Sequence, residues 1–156
     1  MEAALTQSLR ELLRGGSVAA LGTLHAGEPF VSMVPYALRG AHPEFLVHVS
    51  QLSAHTRDML EHARVSLMVV AAEGGDVPAQ ALQRVMIQGD ALQLPRISAA
   101  YGVAKSAYIA RFPQAEPMFD LADFSLFAIR PVAIRYVAGF GRAHSLTPAL
   151  FAAILD

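Results

Sequence analysis

The sequence predicts a mainly β protein, an antiparallel β-barrel with helical decoration, on three observations. Apolar runs of strand length recur along the whole chain. Tight turns join most neighbouring runs, as hairpins do. The helical stretches are few and inserted, so the strict strand-helix alternation of a doubly wound parallel sheet is missing.

Each element follows from its residues. Leu5, Leu9, Leu12 and Leu13 recur at helical spacing before Gly15-Gly16, which predicts a helix over 2–14 with a glycine stop. SVAALGTL (17–24) reads as a buried strand, HAGEP as a turn and FVSMVPYAL (30–38) as the returning strand of a hairpin. Pro35 donates no hydrogen bond, so it belongs on an edge or at a bulge. The loop RGAHPE leads to a strand over 45–50, and Ser53 is a good N-cap for the helical SAHTRDMLEHAR. Strands are expected at 64–71 and 82–94, the second with Gly89-Asp90 inside it as a bulge. A helix is expected at 97–112, then an irregular or short-helical stretch to Asp123. SLFAIRPVAIRYV (125–137) is a strand interrupted at Pro131, GFGRA is a glycine turn, and 148–155 is a terminal helix. No repeat, linker or low-complexity segment divides the 156 residues, which are expected to form one domain.

Composition narrows the function classes. The chain has no cysteine, which removes disulfides, thiolate metal sites and cysteine catalysis. A net charge of -1 argues against nucleic-acid binding. No apolar run reaches the ~20 residues that span a membrane, and the N-terminus lacks the pattern of a signal peptide, so a cytoplasmic protein is expected. Hydrophobic residues make up 54% and charged residues only 16%, an apolar surplus that predicts a buried subunit interface, a cofactor-lined cleft, or both.

The most informative stretch is VHVSQLSAHTR (47–57). A strand runs into a helix there, and the free amides and positive dipole end of a helix start favour an anion. Ser50, His55, Thr56 and Arg57 add donors suited to a phosphate. The same pattern also describes a plain capped helix, with Arg57 pairing Glu61 one turn on. The six histidines (25, 42, 48, 55, 62 and 144) show no metal-ligand spacing, and the methionines read as core. No dinucleotide-binding glycine motif or Gly-x-Ser-x-Gly elbow is present.

The runs SMVPY, SQLSAHTRD, ARVSLMV, QRVMIQGDA and DFSLFAIRPVAIRYVAGFGRA, in this order over nearly the whole chain, resemble the pyridoxamine 5′-phosphate oxidase-related FMN-binding proteins, and within them the haem-utilisation (HugZ-like) branch. The resemblance implies a six-stranded split barrel of the FMN-binding type and a homodimer with FMN at the subunit interface. It implies that Ser32, Met33, Val34 and Pro35 lie along the flavin and ribityl chain, and that Val49 and Ser50 lie near the ribityl-phosphate. It further implies that His55 and Thr56 grip the phosphate and that Arg84 lies against the flavin ring. An arginine there would stabilise the negative charge of a reduced flavin. The alternative for Arg84 is a strand residue with its head in water.

The tail RAHSLTPALFAAILD departs from the substrate-binding pattern of the oxidases themselves, and the longer haem-utilisation proteins carry a C-terminal domain beyond this length. Three functions follow as expectations. The first is an FMN-dependent oxidoreductase of unknown substrate. The second is a haem-binding or haem-utilisation protein, with His48, His55 or His144 as candidate iron ligand. The third is a non-catalytic dimeric split-barrel module. The sequence names no catalytic acid or base.

Overall fold

The computed structural model describes residues 2–40 and 43–156. Met1, together with Ala41 and His42 of the predicted RGAHPE loop, lies outside the described residues. Helix α1 (Ala3–Gly15) buries the four leucines that predicted it, each contributing about 1.5–3 kcal/mol. Gly16 then takes an extended conformation rather than a left-handed one. Glycine is needed there for space, because a Cβ would lie 2.7 Å from the Tyr36 hydroxyl. That hydroxyl donates to the Leu13 carbonyl at 2.7 Å and ties α1 to the sheet.

The other elements in chain order are β1 (Val18–His25), β2 (Glu28–Pro35), β3 (Ala37–Arg39), β4 (Glu44–Ser50), α2 (Ala54–Glu61) and β5 (Arg64–Val70). Then come β6 (Arg84–Gln93), α3 (Ala99–Arg111), β7 (Phe124–Val137), β8 (Ala143–Leu146) and α4 (Pro148–Leu155). The strands form one curled antiparallel sheet, an open half-barrel, in the order β2-β1-β5-β6-β7-β4-β3 with β8 added beside β7. The β1–β2 hairpin turns at Ala26 and Gly27, both left-handed at φ 50° and 82°, the geometry whose twist suits two antiparallel strands.

Three expectations change in detail. The run 30–38 is two strands, because the chain turns at Pro35-Tyr36 and β3 pairs with β4 instead of β1. β7 is not interrupted at Pro131. The proline faces Gly89 across the expected bulge, where the ladder shifts register, so its missing N–H disrupts little. Strand β8, only four residues long, lies in the tail after the glycine turn and had no clear alternation to reveal it.

The sheet separates two hydrophobic clusters. Inside the curl, Leu9, Leu21, Phe45, Ile87, Tyr136 and Phe151 pack with α1 and α4. On the other side, Leu46, Tyr101, Tyr108, Phe119 and Leu126 pack beneath α3. β4 is buried on both faces, odd residues entering the first cluster and Leu46 the second. The apolar surplus emerges on the outer face of β2, β1, β5 and β6. Met33, Ala20, Met68 and Met86 succeed one another across that face by register, beside a groove of about 620 Å³. No helix among the described residues is long and apolar enough to cross a membrane.

Candidate functional site

The site forms where β1 and β4 end and α2 begins. Thr23 and His25 are two residues apart on β1 and so share a face, against which α2 packs. Asp58, on the buried side of α2, accepts the Thr23 hydroxyl at 2.7 Å on Oδ2. Its Oδ1 lies 2.8 Å from His25 Nδ1. Burial alone would raise the Asp58 pKa, but the hydrogen bonds from Thr23 and His25 outweigh it and hold the carboxyl below its usual range. The carboxylate therefore orients the imidazole with Nδ1 inward and Nε2 free. The His25 side chain is 47% exposed, and its ring lies 5.4 Å from that of Phe30.

The predicted phosphate junction lies at the same end. The Ser50 hydroxyl donates to Asp123 Oδ2 at 3.1 Å and accepts from the Leu52 amide at 3.2 Å. Thr56 is fully buried, and its hydroxyl donates to the Ser50 carbonyl at 2.7 Å, so it holds the loop from inside. Val49 is likewise buried in the first cluster. Ser53 caps α2 by position, but its side chain accepts no hydrogen bond from the helix. His55 is half-buried, and burial, opposed by the Asp58 charge, lowers its pKa. Arg57 is exposed.

The remaining predicted residues fall in two places. Ser32, Met33, Val34 and Pro35 lie on β2, the edge strand. Val34 is buried, Met33 and Pro35 are exposed, and the Ser32 hydroxyl is buried without a partner among the described residues. Arg84 is elsewhere. It opens β6 opposite Val70, whereas Arg64, which follows α2, pairs with Asp90 at the other end of the same ladder. Six residues of strand separate the two, about 20 Å. The Arg84 guanidinium donates to the Leu82 carbonyl at 3.0 Å. One chain thus gathers Ser50, His55 and Thr56 but leaves Arg84 at the far end of the ladder.

Sequence reasoning missed the Thr23-Asp58-His25 unit. Thr23 and His25 show only strand alternation, and Asp58 reaches them from 35 and 33 residues along the chain. A half-exposed imidazole whose other nitrogen is held by a buried carboxylate is the usual arrangement of a histidine metal ligand. The other candidate ligands differ. Both His48 ring nitrogens and His144 Nε2 are buried without partners among the described residues.

A curled antiparallel half-barrel with this arrangement of helices is shared by split-barrel proteins. It is found in a pyridoxinephosphate oxidase family protein from Clostridium acetobutylicum, with a TM-score of 0.68 at 11% identity over 94% of this chain and 96% of that one. The chain belongs to the CREG, beta-barrel family, which matches residues 2–153. It is 31% identical over 140 residues to the chloroplastic heme oxygenase HOZ of Arabidopsis thaliana, covering 88% of this chain and 41% of that protein. It is 24% identical over 149 residues to the heme oxygenase HutZ of Vibrio cholerae, covering 94% and 84%. The heme binding protein from Mycobacterium smegmatis superposes with a TM-score of 0.86 at 27% identity, over 98% of this chain and 62% of that one. This chain therefore spans less than half of the plant relative and most of the bacterial oxygenase.

Proposed function

We propose that the chain is a haem-binding protein of the haem-utilisation type, acting as a dimer, with His25 Nε2 as the iron ligand. The observation that carries the reading on this chain is the carboxylate-backed imidazole at the barrel mouth. The names of its relatives, two heme oxygenases and a heme binding protein, support it from outside. The donor fits. His25 offers an accessible nitrogen, and its other nitrogen is fixed by Asp58. Bound haem would supply the redox chemistry. The chain's own part is to orient. Thr23 fixes the Asp58 carboxylate, Asp58 fixes the His25 tautomer, and Phe30 flanks the imidazole with an apolar ring. The apolar outer face with Met33, Met68 and Met86 supports association with a second copy.

Haem titration tests this reading. The wild type should show a Soret band that saturates at stoichiometric haem. His25→Ala should lose or shift that band, and Asp58→Asn should weaken haem affinity about 10–100-fold, as loss of a ligand-orienting partner does. No spectral change in the wild type sinks the function; an unchanged band in His25→Ala sinks only the ligand assignment.

The second reading, FMN held by its phosphate at 50–57, is favoured by the helix start that its own Ser53 side chain leaves uncapped. In that reading Ser50 and His55 face the phosphate, Thr56 braces the loop, and the Ser32–Pro35 edge offers backbone groups along the flavin. Arg84 would reach the ring from the second copy. A flavin spectrum in the purified protein, with released FMN, supports it. Undiminished FMN affinity in a His55→Ala, Thr56→Ala double variant removes the phosphate assignment.

A further inference from the structure

Three guanidiniums converge where α1, α3 and α4 end. Arg14 lies in the last turn of α1 and donates to the Leu155 carbonyl of α4 at 3.0 Å. Arg111 lies in the last turn of α3 and donates to the Gly16 carbonyl, just beyond α1, at 2.9 Å. Arg39, on β3, pairs with Glu44, but Arg130 shares that carboxylate at 2.7 Å. Neither Arg14 nor Arg111 has a carboxylate partner among the described residues. Tyr36 adds no negative charge, because burial raises its hydroxyl to a pKa of about 12 and the Arg111 charge only opposes that rise. The whole chain carries 13 acidic and 12 basic residues, so this local excess of cations comes from the fold and not from the composition.

Between them lies a cavity of about 300 Å³, lined among others by Leu13, Arg14, Tyr36, Arg39, Arg111 and Leu155. The described lining residues include no carboxylate. Capping of helix C-termini explains part of the arrangement, because the carbonyls at a helix end attract cations. It uses one N–H each of Arg14 and Arg111, and a guanidinium has five. Cations gathered around one hollow repel one another, and an anion between them relieves that repulsion. The cavity is remote from the sites above. β1 runs from Val18, two residues after Gly16, to His25, roughly 23 Å. β4 runs from Glu44, the partner of Arg39, to Ser50, about 20 Å.

We propose that this cavity binds a small organic carboxylate, its carboxyl group between the Arg14 and Arg111 guanidiniums and its apolar body against Leu13, Tyr36 and Leu155. The planar fork of an arginine matches a carboxylate with two parallel hydrogen bonds. The apolar wall separates such a ligand from inorganic phosphate, which has nothing to lay against leucine and an aromatic ring. The volume suits a single ring or a short chain, at the small end of ligand sites.

Calorimetry on the full chain at low salt tests this with benzoate, set against benzamide and inorganic phosphate. Benzoate should bind saturably at millimolar concentration, and added salt should weaken it. Benzamide, which has the same shape without the charge, and phosphate should each bind at least tenfold more weakly. Arg14→Gln and Arg111→Gln should each lose about tenfold in benzoate affinity, the effect of one charge-assisted hydrogen bond. Arg142→Gln, in the exposed glycine turn, should lose none. Arg111→Lys keeps the charge but not the fork; it covers the case where the glutamine variants do not fold and should lose at least threefold. Haem titration of these variants should match the wild type. Absence of benzoate binding overturns the proposal, as does equally tight binding of benzamide or phosphate. Equal benzoate affinity in the wild type and a folded cavity variant overturns it too, as does a folded variant that loses haem together with benzoate.

Discussion

Asp58 and His48 are both buried, titratable and shifted downward, but they work differently. Asp58 is held ionised by two hydrogen-bond donors, Thr23 and His25. Its folded pKa lies below its ordinary value. Its stabilisation is therefore present above that value and lost as pH falls through the folded pKa. Asp58→Asn should cost about 1–3 kcal/mol at pH 7 by denaturant unfolding, and the gap should narrow below about pH 4. His48 is held neutral. With a folded pKa of about 4 against an ordinary 6.5, its contribution is complete above about pH 6.5 and lost as pH falls toward 4. His48→Phe should flatten that part of the stability curve, and an unchanged pH slope would contradict the assignment. Little in the sequence warns of either residue's role. His48 reads as one polar position in an apolar strand, and nothing local says that Phe119 stacks on it from a segment 71 residues later.

Single elements follow local physics more openly. The leucine stripe of α1, the Ala26-Gly27 turn, the bulge at Gly89 and the edge position of Pro35 were all legible because spacing, backbone sterics and missing donors act within a few residues. The split of 30–38 into β2 and β3 was not, because it depends on which strand each half pairs with. The bulge makes a sharp demand. A Cβ at Gly89 would approach the Arg130 carbonyl to 2.7 Å and Ile129 Cγ2 to 2.8 Å. Gly89→Ala should therefore destabilise the protein by about 1–3 kcal/mol, the usual range for overpacking, with an unchanged denaturation midpoint counting against the close approach. The strand-to-helix junction was legible in place but not in detail. Its position follows from Ser50 and Ser53, whereas the inward turn of Thr56 follows from the Ser50 carbonyl that needs a donor.

For the molecule as a whole, composition foretold the apolar surplus and the sheet shows where much of it surfaces. Val31 and Met33 are exposed on β2, where only Val34 is buried, and Met68 and Val70 on β5, whose alternate residues fill the core. Association through this face should be broken by charge. The proposed dimer should shift to monomer by light scattering in Met33→Glu with Met68→Glu, and a dimer that persists would place the interface elsewhere. The separation of Arg84 from α2 belongs to this scale too. A residue implied by resemblance to share one site can do so only if two copies contribute, which no reading of one strand at a time reveals.

The hairpin edge has one further consequence. The Tyr36 amide bonds the Ser17 carbonyl, so even-numbered residues of β2 face β1 and odd-numbered ones face outward. The outward positions are Pro29, Val31, Met33 and Pro35, and two of those four have no N–H. An apolar strand with a bare edge is a template for amyloid-like stacking between chains. Here prolines near both ends leave an approaching strand only two central donors, so the edge resists runaway polymerisation.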